Sequence, residues 1–398
     1  MSLWSNNRAA AGVIPDVIAH VQRHAASYYP ELAGEAFTLR RGFVRPRQFS
    51  HLFELKLVSA QRSHRILAKI ALPPENFSAD ASADDVRSYF LPTPDAWGAE
   101  YQVLSAFARR VASARDDRFF AVRVLDSILD DQALILEFAA ARPLTTLVKS
   151  AARRSANASL PELMDATTRT GACLRLFHGM EVGGQRQIRG ATKDEFLAWV
   201  DATESFVGGD ESTRSFFRRM TNRMHRLVEE LLPHELPAGP LHDDFAPRNV
   251  LVDAEGRVAI IDMLEEWAGC IWTDIARFLV SIGANKGQAI SRGRMFSQRQ
   301  VDNIRQALLT CYYGDDAIPL SQISLYECQT TLTQWAAMLH GVQGRTFWKR
   351  ALKRAQLAAS AKWYAQYSEA CLSRAESLAD SDAAGVRSAS PFAVGGAS

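Results

Sequence analysis

Cysteine is scarce in this chain of 398 residues: five, at positions 173, 270, 311, 328 and 371, odd in number, widely spread and without C-x-x-C spacing. That pattern argues against a disulfide framework and a cysteine-ligated zinc site, and fits a reducing compartment. Charge of one sign is also missing. The net charge is +2, so no strong field marks a nucleic-acid binder, and the short cluster Arg40, Arg41, Arg45 and Arg47 reads first as a solvated face. No apolar run approaches the ~20 residues that a membrane helix needs. The opening Met1-Ser2-Leu3-Trp4-Ser5-Asn6-Asn7-Arg8 lacks the apolar core of a signal peptide. The expectation is a cytoplasmic protein with no membrane span and no nucleic-acid partner. Three catalytic signatures are absent as well: Gly-x-x-x-x-Gly-Lys-Ser/Thr, His-Glu-x-x-His and Gly-x-Ser-x-Gly. Each absence removes support for the enzyme class whose chemistry needs it.

What is present is an ordinary globular composition, 47% apolar and 23% charged, with enough chain for two or three packed units. Scattered apolar positions predict an opening helix over 14–29. Phe37–Val44, His51–Ser59 and Arg65–Leu72 read as strands, the second with clean alternation. A Ser/Asp/Pro-containing loop over 76–95 precedes an amphipathic helix at Ala99–Val111. Phe119–Asp126 and Ala133–Phe138 read as two further strands. Beyond Ala139 the pattern turns helical, over 161–180, 192–207, 211–232, 299–313, 321–341 and 346–379. One hairpin interrupts it, Asn249–Val252 and Arg257–Asp262 around Asp253-Ala254-Glu255-Gly256. The expected organisation is an α+β chain with a mixed N-terminal lobe at 1–139, a mainly helical lobe at 140–379 and a disordered tail at 380–398, rich in Ala, Ser, Gly and Asp.

Chemistry concentrates in Leu241-His242-Asp243-Asp244-Phe245-Ala246-Pro247-Arg248-Asn249-Val250-Leu251 and in the Asp262 that closes Val258-Ala259-Ile260-Ile261. An acid at the end of a buried strand demands a reason. Phosphoryl transfer supplies one, because it needs a carboxylate to orient and deprotonate a hydroxyl and oxygen ligands to hold Mg²⁺ against phosphates. Asp244, Asn249 and Asp262 are those residue types. Upstream, Lys69 sits within an apolar strand, where it needs a partner; Glu100, near the start of the next helix, can supply one. A snorkelling lysine and an unrelated helix-start glutamate remain the plainer alternative.

The segment from His242 to Asn249 resembles His-x-Asp-x-x-x-x-Asn, the motif of the aminoglycoside-phosphotransferase and choline-kinase family. The resemblance implies a two-lobed protein-kinase-like fold with a small antiparallel-sheet N-lobe, one key helix and a larger helical C-lobe. It implies a small-molecule kinase that uses ATP (or GTP) and Mg²⁺ to phosphorylate a hydroxyl of a sugar, amino sugar, aminoglycoside or choline-like metabolite. Carried over residue by residue, Asp244 is the catalytic base, Asn249 and Asp262 bind the metal, and His242 supports the loop. Lys69 grips the α- and β-phosphates and is positioned by Glu100. Leu136-Glu137-Phe138-Ala139 takes the hinge position, with main-chain atoms of Glu137 and Ala139 facing the base; a plain strand end is the alternative there. Asp274, in Trp272-Thr273-Asp274-Ile275-Ala276-Arg277-Phe278-Leu279, braces the catalytic loop. His178, closing Leu174-Arg175-Leu176-Phe177-His178, reads as structural.

Two departures matter. Relatives commonly carry Gly where this chain has Asp243. The loop Arg45-Pro46-Arg47-Gln48-Phe49-Ser50 lacks glycine, so Ser50 or an arginine would supply part of the phosphate contact. For the acceptor, Glu265, Glu266, Trp267 and Trp272 follow Asp262 closely and are candidates for the cleft wall, against the simpler reading of solvated acids and core tryptophans. A protein kinase is disfavoured: Asp262 to Asp274 spans only twelve residues, with no room for an activation segment and no Ala-Pro-Glu. The remaining alternative is a catalytically inactive nucleotide-binding pseudokinase or scaffold, weakened by the presence of every expected active-site residue type.

Overall fold

The computed structural model describes residues 3–46, 50–71, 96–128, 133–152, 159–181, 187–263, 267–284, 286–340 and 347–382. The expected loop at 76–95 and the tail beyond Asp382 lie outside the described residues.

Helix α1 (Leu3–Tyr28) is followed by strands β1 (Phe37–Pro46), β2 (Ser50–Ser59) and β3 (Ser63–Ala71), helix α2 (Ala96–Ala114), and strands β4 (Val124–Ile128) and β5 (Ala133–Glu137). The five strands form one antiparallel sheet in the order β1-β2-β3-β5-β4. Period-two alternation gives the sheet two apolar faces. Phe53, Leu55 and Leu57 of β2, Ile66, Ala68 and Ile70 of β3, and Ile135 of β5 share a core with Ile14, Val17, Val21, Ala25 and Tyr28 of α1. On the same strand Leu67 packs instead against the second, larger core that contains Val103, Leu104 and Phe107 of α2. Lys69 shares the parity of Leu67, so the alternation that buries Ala68 and Ile70 beneath α1 turns Lys69 toward α2.

The rest of the chain is mainly helical. It comprises β6 (Arg142–Pro143), α3 (Leu144–Ala151), α4 (Ser159–His178), β7 (Gln187–Arg189), α5 (Lys193–Phe206), α6 (Glu211–Leu231), β8 (Ala238–Pro240), β9 (Val250–Val252) and β10 (Val258–Ile260). Then come β11 (Trp267–Cys270), α7 (Trp272–Gly283), α8 (Lys286–Ile290), α9 (Gln298–Tyr313), α10 (Leu320–His340) and α11 (Phe347–Asp382). The hairpin β9–β10 takes β6 as its third strand, and β11 lies between β7 and β8. Capping boxes at Thr192 with Glu195 and at Ser297 with Gln300 start α5 and α9.

The expected strand at 119–126 begins only at Val124. Phe119 instead bridges to Val258, and the Phe120 N–H donates to the Val258 carbonyl at 3.0 Å. Phe119 and Phe120 are thereby tied to the hairpin rather than to the sheet. Helix α10 is surrounded by protein: Ser321, Ser324, Glu327, Gln329, Thr331 and Thr333 are all buried. Its Glu327 pairs with Arg305 of α9 and with Arg374 of α11, and accepts the Tyr367 hydroxyl at 3.3 Å. Helix α11 continues three residues past the 379 boundary expected from composition, to Asp382.

Helices α4 and α9 approach closely at Gly171. A Cβ there would collide with the Leu308 carbonyl oxygen and stand 3.1 Å from its carbon and 3.2 Å from the Tyr312 nitrogen. These are backbone atoms of α9 and cannot rotate away. Gly171→Ala is expected to destabilise the protein by about 1–3 kcal/mol, as overpacking does, despite the better helix propensity of alanine. Urea denaturation would show it as a lower midpoint; an unchanged or higher midpoint would refute the close packing.

Candidate active site

The site begins with a buried cation. The Lys69 ammonium on β3 donates to both oxygens of Glu100 on α2, at 2.7 and 2.8 Å, and to Asp262 just past β10. Lys69 and Glu100 are 6% and 1% exposed, so each needs the other to offset desolvation. Burial alone would pull the Lys69 ammonium down, but Asp262 and Glu100 outweigh it and hold it above its ordinary value. Burial pushes the Glu100 carboxyl up to about 7, against the opposing pull of Lys69. Burial acts the same way on Asp262, yet the Lys69 charge holds that group below the usual carboxylate range. One ammonium thus joins the sheet, α2 and the end of the hairpin.

The loop between β8 and β9 is held from beneath by Asp274, which is fully buried near the start of α7. Its carboxylate accepts the His242 N–H at 2.7 Å and the Asp243 N–H at 3.1 Å, and lies 3.2 Å from His178 Nε2. A carboxylate only accepts, so Nε2 carries the proton and His178 Nδ1 accepts the Tyr312 hydroxyl at 2.7 Å. The same logic fixes His242. Its Nε2 donates to the Ile261 carbonyl at 2.8 Å, and its Nδ1 faces the Asp244 N–H at 3.3 Å. His242 therefore links the loop to the residue before Asp262. Burial would raise the Asp274 carboxyl, but its bonds to His178 and His242 hold it below the usual range. Asp243 has φ 57° and Asp262 φ 65°, a left-handed conformation that Asp tolerates better than most residues. The position where relatives commonly carry Gly is thus one that requires this backbone conformation.

Asp244 is brought beside Asn249 by the short turn Pro247–Asn249. The Asn249 amide donates to the Asp244 carbonyl at 2.9 Å and to its Oδ2 at 3.0 Å. Both amide hydrogens are engaged, so the Asn249 carbonyl oxygen is the atom left for a ligand. Arg248 pairs with Asp244 Oδ1, and Arg277 lies 3.9 Å from the same oxygen and 3.5 Å from Asp243. Sequence reasoning passed over both arginines. Arg277 was findable: it stands three residues after Asp274 on α7, and that spacing puts both on one helix face.

At the hinge position, the Glu137 N–H donates to the Arg123 carbonyl and the Phe138 N–H to the Arg65 carbonyl, both at 2.9 Å. Glu137 can therefore offer a base only its carbonyl. Arg65 lies over the Phe138 ring at 3.5 Å and pairs with the buried Glu54 at 2.5 Å. A cavity of about 310 Å³ opens here, bounded by Glu137, Ala139, Arg123 and the β9–β10 turn. Ser50 is buried at the start of β2, opposite Ala71, and Arg47 lies outside the described residues. Gly42 in β1 faces the Glu54 side chain, whose Cδ a Cβ would meet at 2.9 Å. Of the acceptor candidates, Glu265 and Glu266 lie outside the described residues, and Trp267 is described only through its backbone in β11. Trp272 is 5% exposed, packs edge-on to Tyr326 at 5.7 Å and donates to the Tyr313 hydroxyl at 3.1 Å. Its indole is accordingly part of the helical core, the simpler of its two sequence readings. No helix among the described residues is long and apolar enough to cross a membrane.

The model of the phosphotransferase enzyme family, APH, matches residues 82–309, and the chain belongs to that family. A small-molecule kinase is the class that family and fold define together. Among solved structures, a Ralstonia eutropha JMP134 protein with a provisional aminoglycoside-phosphotransferase name is 15% identical, with TM-score 0.52 over 91% of this chain and 97% of that one. A choline kinase from Cryptosporidium parvum Iowa II is 12% identical, with TM-score 0.50 over 87% and 90% of the two chains. At such identities the likeness establishes the two-lobed protein-kinase-like fold. No curated protein matches by sequence.

The brace at Asp274 yields a test with a defined pH sign. Its pKa is depressed on folding, so its contribution is fully present above the unfolded value of roughly 3.9 and is lost as pH falls through the lower folded value. Asp274→Ala strands two backbone N–H groups and His178, and is expected to cost about 3–5 kcal/mol at neutral pH. Wild type and variant should converge in melting temperature as pH drops below about 4. A constant gap down to pH 2 would sink the assignment.

Proposed function

We propose that this protein transfers the γ-phosphate of ATP or GTP to a hydroxyl of a small molecule. The observation that supports the reading best is that Lys69 joins Glu100 to Asp262 while His242, bonded to Ile261, ties that strand end to the loop carrying the Asp244–Asn249 pair. Asp262 and the Asn249 carbonyl offer hard oxygen donors, the kind Mg²⁺ prefers, and would hold it. When bound, the ion would neutralise charge on the phosphates.

In this reading Lys69 binds the α- and β-phosphates, and Glu100 keeps it aimed. The Glu137 carbonyl and the Ala139 N–H meet the base, and Ser50 lies at the loop that covers the phosphates. The acceptor hydroxyl takes the place of Arg248 on Asp244 Oδ1. Its oxygen forms a bond to the γ-phosphorus as the bond from that phosphorus to the bridging β–γ oxygen breaks, and its proton passes to Asp244. Arg248, displaced, and Arg277 stay close enough to balance the charge. Asn249 holds the other carboxylate oxygen, so the base presents one lone pair in one direction. His242 and Asp274 keep the loop in place without touching substrate. Sugars, amino sugars, aminoglycosides and choline-like alcohols are the acceptor classes proposed.

Mg²⁺-dependent nucleotide consumption across such a panel tests the proposal, with Asp244→Asn as the comparison. Removing the base is expected to lower turnover about 10²–10⁴-fold while nucleotide affinity stays nearly unchanged, because this side chain meets the acceptor. Full turnover by Asp244→Asn would remove its role as base. Tight nucleotide binding by the wild type with no consumption on any acceptor would favour the inactive scaffold.

A further inference from the structure

Away from the cleft, α1 and β4 bring together three side chains that the proposed kinase chemistry does not use. His20 and His24 stand one turn apart on α1, with rings stacked at 4.3 Å. Asp126 reaches them from β4, where the register shifts between Val124 and Asp126. That irregularity sets Asp126 opposite Ile135, a residue of the core beneath α1, and so turns an edge-strand carboxylate toward the helix. His20 Nε2 lies 2.8 Å from Asp126 Oδ2. One ligand atom from each of the three side chains falls within 4.8 Å of the other two.

We propose that His20, His24 and Asp126 bind a divalent transition-metal ion, with Zn²⁺ the best match to two imidazoles and one carboxylate. The carboxylate is already oriented for it: Oδ2 accepts the Tyr28 hydroxyl at 2.7 Å and Oδ1 accepts the Ser127 N–H at 2.8 Å. Such outer partners are what ligating carboxylates carry. Ligands about 2.0–2.1 Å from a tetrahedral ion stand roughly 3.3 Å apart. His20 and Asp126 need to part slightly, and His24, which is exposed, needs to swing inward, leaving the fourth position to water. Imidazole nitrogens disfavour Mg²⁺, so millimolar Mg²⁺ should not compete. The ion would fasten α1 to β4, which pairs with β5, the strand that ends at the hinge residue Glu137. Elsewhere, His225 and Asp201 pair at 2.7 Å on the surface, but no third ligand joins them among the described residues.

The test uses the full chain, stripped with chelator and kept in Mg²⁺, titrated with Co²⁺ for its visible absorption and with Zn²⁺ for melting temperature and bound equivalents. One tight equivalent and a higher melting temperature with Zn²⁺ are expected. His24→Ala should melt like wild type without metal, yet lose the Zn²⁺ shift. Tyr28→Phe should weaken binding about 10–100-fold, as loss of an outer partner does. Equal Zn²⁺ affinity in wild type and His24→Ala, or no Zn²⁺ effect on wild-type melting, would overturn the proposal and leave the cluster as a hydrogen-bonded clamp. Neither outcome bears on the kinase reading, since none of these residues lies in the cleft.

Discussion

A single ammonium group has to be neutralised inside the protein, and much of the architecture follows from how that is done. Lys69 is buried on the inner face of a sheet whose outer face is already closed by α1. Its charge is tolerable there only with carboxylates in direct contact. Glu100 supplies one from α2 and Asp262 supplies the other from the hairpin. These partners come from separate parts of the chain, so the ion pairs also fix the distance between the sheet and the hairpin. Losing either carboxylate would leave a buried cation short of charge, which is far more damaging than removing a pair on the surface.

A second anchor, at Asp274, works by the opposite sign. There a buried carboxylate is satisfied by two backbone N–H groups and an imidazole. Its charge is therefore distributed into a loop whose backbone would otherwise have donors pointing into protein. The loop needs this support, because Asp243 occupies the left-handed region. His242 completes the frame by bonding to Ile261, the residue before Asp262. The two anchors are thus coupled: the loop that carries Asp244 and the strand end that carries Asp262 are joined through one ring. A shift of either by an ångström would displace the other, and positioning on that scale governs the rate of transfer reactions.

Much of this was legible before any coordinates. Alternation in β2, helical periodicity in α2, α4–α6 and α9–α11, and the spacing of His242, Asp244 and Asn249 are local patterns, and local patterns survive in one dimension; the helices at Trp272–Gly283 and Lys286–Ile290 are not among those read from periodicity. Lys69 and Glu100 could be paired because an isolated charge in an apolar strand calls for a partner. The strand expected at 119–126 shows where local reading ends. Phe119 and Phe120 have strand-forming side chains, but their backbone partners come from Val258, far along the chain. Trp272 illustrates the same limit: an aromatic near a site can line it or support it, and only its contacts with Tyr313 and Tyr326 decide. Arg248 stands inside the most informative segment, yet nothing in its spacing marks it, because the base role assigned to Asp244 calls for no cation and only the folded loop pairs the two.

That last point has a mechanistic consequence. Each carboxylate proposed for the reaction has a cation of the protein beside it: Asp262 has Lys69, and Asp244 has Arg248 with Arg277 near. Three acids gathered around one cleft, Asp243, Asp244 and Asp262, would repel one another if left bare, and some would take up protons instead. Burial, with Asp274 and Asp244 nearby, does push the Asp243 carboxyl up to about 6 against the pull of Arg277, whereas the Lys69 charge holds Asp262 below the usual carboxylate range. Under the proposed function substrate entry would be an exchange of partners, in which the nucleotide's phosphates would compete for Lys69 and the acceptor hydroxyl for the Arg248 place on Asp244. Such an exchange favours a substrate that brings charge to replace what it displaces. Arg248 is 56% exposed at its side chain whereas Arg277 is 14% exposed, so Arg248 is the one free to move. Arg277, held on α7 one turn from Asp274, is placed to stay beside Asp244 while its neighbour leaves.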